Sequence, residues 1–146
     1  MMKKILIACT TVAVLLFSNV NVALAEDGKR FDKNVTWKNV VKINFKNGKR
    51  GEALKIIKNY YEKATEKAGT RGPETVMEFR TGDYDLLVVW HMPGGVNDMT
   101  WEDHPDNKKW RAALNDIAGG EDKAKEILDN FSSLIDNAEN DIAIVR

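Results

Sequence analysis

His91 and His104 bracket a stretch rich in carboxylates: Asp98, Glu102 and Asp103, with Asp106 just beyond. Imidazole and carboxylate together can ligate zinc, iron or manganese. The spacing holds no His-Glu-x-x-His helix and matches no established metal motif, so no metal is expected and the acids read as a solvated loop. A second group is Lys42, Glu78 and Arg80. If they share one face of a sheet, charges of mixed sign pair with each other across strands or across an interface. The alternative is that Lys42 or Arg80 takes a ligand carboxylate, and pairing is the favoured reading. Trp110 stands at helical spacing from Ala113, Leu114 and Ile117, which marks it as core, whereas Trp101 is left open.

The start of the chain bounds the chemistry further. Lys3 and Lys4 precede an apolar stretch from Ile5 to Phe17, and Ala23-Leu24-Ala25 follows. This order reads as a secretory signal peptide over residues 1–25, of bacterial type, with export to the periplasm or the medium. The apolar stretch, interrupted by Thr10 and Thr11 and followed by Ser18 and Asn19, is too short to span a bilayer. Cys9 lies inside the leader, so a chain cut after Ala25 has no cysteine. Disulfides, a thiol nucleophile and cysteine metal sites are thereby excluded. Losing Lys3 and Lys4 leaves 20 basic against 22 acidic residues, a net of −2. The charges are interspersed, so neither nucleic acid nor, after cleavage, a membrane is an expected partner.

Residues 26–36 are polar and aperiodic and read as a flexible arm before a single domain, 37–146. Trp37 to Lys46 is the first strand, with Val41, Ile43 and Phe45 on one face and Val40, Lys42 and Asn44 on the other. Arg50 to Ala68 forms an amphipathic helix on Leu54, Ile57, Tyr61, Ala64 and Ala68. A hairpin turns at Thr81-Gly82-Asp83. Its first strand, Thr75 to Thr81, alternates as an edge strand does, and its second, Leu86 to Trp90, is unbroken and apolar as a covered strand is. The connection from Pro93 to Pro105 is long enough to be functional rather than filler. Helices over Asp106–Ile117 and Glu121–Asn137 and a short strand, Ile142–Val145, complete the order β-α-β-β-α(α)-β. That order predicts an α+β, ferredoxin-like antiparallel sheet, strand order 4-1-3-2, with helices on one face.

The second face must then meet solvent, a ligand or another copy of the chain. On it the first strand places Val40, Lys42 and Asn44, and the second Val76, Glu78 and Arg80, with Met77 and Phe79 turned to the helices. The third strand contributes either Leu86, Val88 and Trp90 or Leu87, Val89 and His91. A face half apolar and half charged makes a dimer or pocket wall.

With this element order, the Thr81-Gly82-Asp83-Tyr84-Asp85-Leu86 turn into an apolar strand, and a tryptophan-bearing helix ending in Gly119-Gly120, the chain resembles the dimeric α+β barrel superfamily. That group holds the antibiotic-biosynthesis-type monooxygenases, the NIPSNAP-like proteins and related small ligand-binding domains. The resemblance covers Trp37 to Val145. It implies a homodimer in which two open sheets face each other around a pocket, but the members' activities are too varied to choose a function.

Haem degraders of this fold use an asparagine on the first strand, a tryptophan on the third and a histidine on a later helix. Asn44, Trp90 and His104 fall in comparable elements, although His104 precedes its helix. They could equally bound a pocket for an aromatic or lipid-like molecule, and no cofactor is expected. The pocket-face candidates are Lys42, Asn44, Glu78, Arg80, Trp90, His91 and His104. The first expectation is an exported domain that binds a small apolar or aromatic molecule between the facing sheets of a homodimer. Its alternatives are a cofactor-independent oxygenase of the same architecture and a purely structural homodimer.

Overall fold

Residue 31 and residues 35–146 are described by a computed structural model. The predicted leader, 1–25, and residues 26–30 and 32–34 of the predicted arm lie outside the described residues.

Two strands carry the sheet because their apolar residues recur on one side. In β1 (Thr36–Phe45), Val41, Ile43 and Phe45 pack with Leu86 and Val88 of β3 (Leu86–Met92) against the helices. β1 and β3 pair antiparallel, Val41 opposite Val88 and Ile43 opposite Leu86. The edges are β2 (Thr75–Glu78) beside β3 and β4 (Ile135–Val145) beside β1. The order is β2-β3-β1-β4, which from the β4 edge reads 4-1-3-2.

The helical layer begins with α1 (Arg50–Ile56), runs through a π-helical turn, Ile57–Tyr61, and continues as α2 (Glu62–Ala68). A single uninterrupted helix was the expectation. In the π segment the Tyr61 carbonyl accepts from the Thr65 hydroxyl at 3.0 Å and from Trp110 Nε1 at 3.4 Å. Such a widened turn leaves a carbonyl free to take side-chain donors. Burial pushes the Tyr61 hydroxyl up to about 12. α3 (Pro105–Ala118) packs on α2 through Ala64, Ala113 and Leu114, and Trp110 meets Tyr61 edge-on at 5.3 Å, so Trp110 belongs to the core as expected. α4 (Glu121–Leu134) lays Ile127, Phe131 and Leu134 on the same apolar cluster as β1 and β3.

The connection from Pro93 to Pro105 is not wholly irregular: Gly95–Thr100 forms a short 3₁₀ helix. It lies against β1 where Gly95, at φ +63°, approaches the Trp37 ring so closely that a Cβ would stand 3.1 Å from Trp37 Cδ1. Trp101 is 54% exposed.

Two expectations about the edges are corrected. The facing of β2 is inverted. Val76 lies opposite Val88 and Glu78 opposite Leu86, which places Val76 and Glu78 on the helix side and Met77, opposite Leu87, on the other. Every residue of β2 is exposed, so alternation there reports no core, and a one-residue change of parity flips the whole strand. Phe79 stands outside the strand, its N–H donating to the Asp85 carbonyl at 2.9 Å. The last strand is also far longer than Ile142–Val145. Helix α4 ends at Leu134 and β4 begins at once, pairing with β1 from Phe45–Ile135 to Thr36–Val145 with one irregularity at Asn44/Phe45. The run Asp136–Asp141 has little strand propensity of its own. The open edge of β1 supplies the backbone partners that hold it extended.

Candidate functional site

The face of the sheet away from the helices is set by the same register. Thr36, Lys38, Val40, Lys42 and Asn44 come from β1, and Leu87, Val89 and His91 from β3. β2 adds Thr75 and Met77; β4 adds Asn137, Glu139, Asp141 and Ala143. Helices α1–α4 pack on the opposite side. In cross-strand rows, Lys38 sits between His91 and Ala143, Val40 between Val89 and Asp141, and Lys42 between Leu87 and Glu139.

At one end of this face Lys42 is enclosed by acids. Its ammonium lies 2.7 Å from Glu139 Oε2 and 3.1 Å from Asp141 Oδ2, and 5.2 Å from the centroid of the Tyr84 ring. Hydrogen bonding to Glu139 and then Asp141 raises Lys42 far above the ordinary ammonium range. The same bond, with a second from Tyr84, holds the Glu139 carboxyl below its usual value, and Glu139 in turn raises the Tyr84 hydroxyl.

At the other end lies an open groove of about 570 Å³, walled by Thr36, Lys38 and His91 on the sheet and by the loop Arg71–Glu74. Lys38 is only 9% exposed and its ammonium is bonded to the Glu74 carboxylate. That bond lowers the Glu74 carboxyl below its ordinary range. Nδ1 of His91 is shut off from solvent and has no hydrogen-bond partner among the described residues. Arg71 is exposed and makes no ion pair among the described residues.

The seven sequence candidates divide accordingly. Lys42, Asn44 and His91 share the open face; Glu78, Arg80, Trp90 and His104 do not join them. Glu78 bonds Arg50 at the start of α1 at 3.0 Å, on the helix side. The Arg80 side chain is 82% exposed beyond the end of β2. Trp90 stands opposite Asn39, one residue out of step with His91 and so on the other face. His104 caps α3, its Nδ1 accepting from the Asp106 N–H at 3.1 Å, and meets the Trp101 ring edge-on at 5.3 Å. Asn44 and Trp90 therefore lie on opposite sides of the sheet, and Asn44, Trp90 and His104 do not converge on one point. Among the described residues no three His, Cys, Asp or Glu side chains come together as a metal cluster.

Lys38, Arg71 and Glu74 were missed, as were Glu139 and Asp141. Only Lys38 left a signal, since it shares strand parity with Lys42. Arg71 and Glu74 are brought to it by the loop before β2.

No family model matches the chain, and no curated protein matches it. Among solved structures it is similar to a NIPSNAP family protein of unknown function from Agrobacterium tumefaciens, at 17% identity over 80% of this chain and 94% of that one, TM-score 0.49. A second NIPSNAP family protein from the same organism aligns at 15% identity over 75% of this chain and 90% of that one, TM-score 0.46. An uncharacterised NIPSNAP domain protein from Burkholderia xenovorans aligns at 13% identity over 75% and 94%, TM-score 0.45. At this distance the site has to be read from the chain's own residues.

Proposed function

We propose that the chain is an exported small-molecule-binding domain that works as a homodimer, its bare sheet face meeting the same face of a second copy around the ligand. One observation carries the reading. Val40, Leu87, Val89 and Met77 form a contiguous apolar centre on a face that α1–α4 leave uncovered, and Met77 alone is 46% exposed. Apolar sheet surface of this kind is hidden in stable proteins by a partner or a ligand. Charged Lys42, Glu139 and Asp141 rim it, as polar residues rim an interface core. Both edges of the sheet resist extension: β2 has four residues, and β4 carries Asp136, Glu139 and Asp141 in its first seven. Face-to-face association is thus favoured over edge-to-edge pairing.

Native mass spectrometry on protein purified from its host tests both parts. The expected result is a dimer with a retained small molecule, each chain beginning after Ala25. A dimer with nothing bound would make the interface purely structural. A strict monomer at micromolar concentration would end the proposal.

A further inference from the structure

The geometry points to an amphipathic monocarboxylate as the ligand. Its head would sit in the groove by Lys38 and Arg71, and its tail would run along Val89, Val40 and Leu87. This inference rests on the binding role proposed above and specifies its ligand class.

Charge is the first argument. Two cations, Lys38 and Arg71, face a single carboxylate, Glu74, which is already committed to Lys38. The groove is left with one positive charge and a guanidinium of the kind that holds carboxylates in a fork. Lys38 is nearly out of water, where an ionic contact is screened less than at the surface. The second argument is the cross-strand row of Lys38, in which His91 and Ala143 stand on either side and neither supplies a carboxylate to compete with the ligand.

The tail follows from the register. Beyond Lys38 and His91 comes the row of Val40 and Val89, and beyond that the row holding Leu87 and Met77, each about 7 Å further on. The Lys42 end fixes the number of heads. There one ammonium faces Glu139 and Asp141, a net negative charge that repels a second carboxylate.

Calorimetric titration with octanoate, 1-octanol and octanedioate tests this, on protein refolded from denaturant so that any small molecule retained from the host has been removed. Octanoate is expected to bind about tenfold more tightly than either of the others. Arg71→Gln should lose about that factor. Glu74→Gln should gain affinity for octanoate, because it releases Lys38 from its carboxylate, an outcome that a merely structural ion pair would not produce. Circular dichroism checks that both variants are folded. If octanol binds as tightly as octanoate, and Arg71→Gln changes neither, the head-group assignment is overturned while the apolar face stands. If none of the three binds to folded protein, the binding role itself falls and this inference with it.

Discussion

Lys38 and Lys42 stand on one strand and one face, separated by the Val40 row, and yet they are differently placed. Across from Lys42, β4 supplies Glu139, with Asp141 beside it, and the ammonium is saturated by two carboxylates. Across from Lys38, β4 supplies Ala143, and the ammonium meets one carboxylate from a loop in a groove that also holds Arg71. What a lysine on a sheet can do is decided by its cross-strand partners rather than by its own type or parity. One end of the face reads as a closed structural network and the other as a site with cationic charge to spare.

The comparison is broken most severely from its middle. Val89→Lys places a third cation between the two ends, in the centre of the proposed interface. An unpaired charge there should weaken dimerisation by roughly a hundredfold or more. Sedimentation equilibrium reads this directly, and an unchanged dimer would mean that the two faces do not meet.

The parity on which the comparison rests is tested by two neighbouring leucines. Leu86 is 1% exposed in the core, and Leu86→Ala should cost about 2–5 kcal/mol. Leu87 is on the open face, and in the Val89→Lys background Leu87→Ala should cost under about 1 kcal/mol. Equal costs in urea denaturation would contradict the assignment of faces.

Ala143→Glu sharpens the contrast by giving Lys38 the neighbour that Lys42 has. Octanoate affinity should fall by about tenfold, with little change in melting temperature. No fall in affinity would separate Lys38 from the binding groove.

The smallest expected effect is on acid stability. The Glu139 carboxyl is held below its ordinary 4.5 by Lys42 and Tyr84. Its contribution is therefore whole above that value and is lost as pH falls through the lower folded one. Lys42 is held above its ordinary 10.5, so its contribution is whole below that value and lost only in stronger alkali. Glu139→Gln should lower the melting temperature at pH 7 and not at pH 2. An equal decrement at both would show that the carboxylate's charge is not what stabilises this end.

The local pattern was informative where burial was deep. Val41, Ile43 and Phe45 named the helix-covered face of β1, and the apolar run from Leu86 named a central strand, because a strand buried against helices must alternate or fill accordingly. It failed at the edges. Met77 misled because every residue of β2 is exposed, so its alternation carries no constraint, and Phe79 stands outside the strand. Asp136 and Asn137 read as the end of a helix and 138–141 as no element, because the extended form of this run is imposed by the backbone of β1.

The sequence by itself determined two apolar central strands, the amphipathic helices and the presence of charge on the bare face, all of which follow from short-range periodicity. Only the tertiary structure decided which charges meet. The groove gathers residues 36–38, 71–74 and 91, and the closed network gathers Lys42, Tyr84, Glu139 and Asp141. Contacts between such distant positions depend on strand register, and a shift of one residue would exchange every partner.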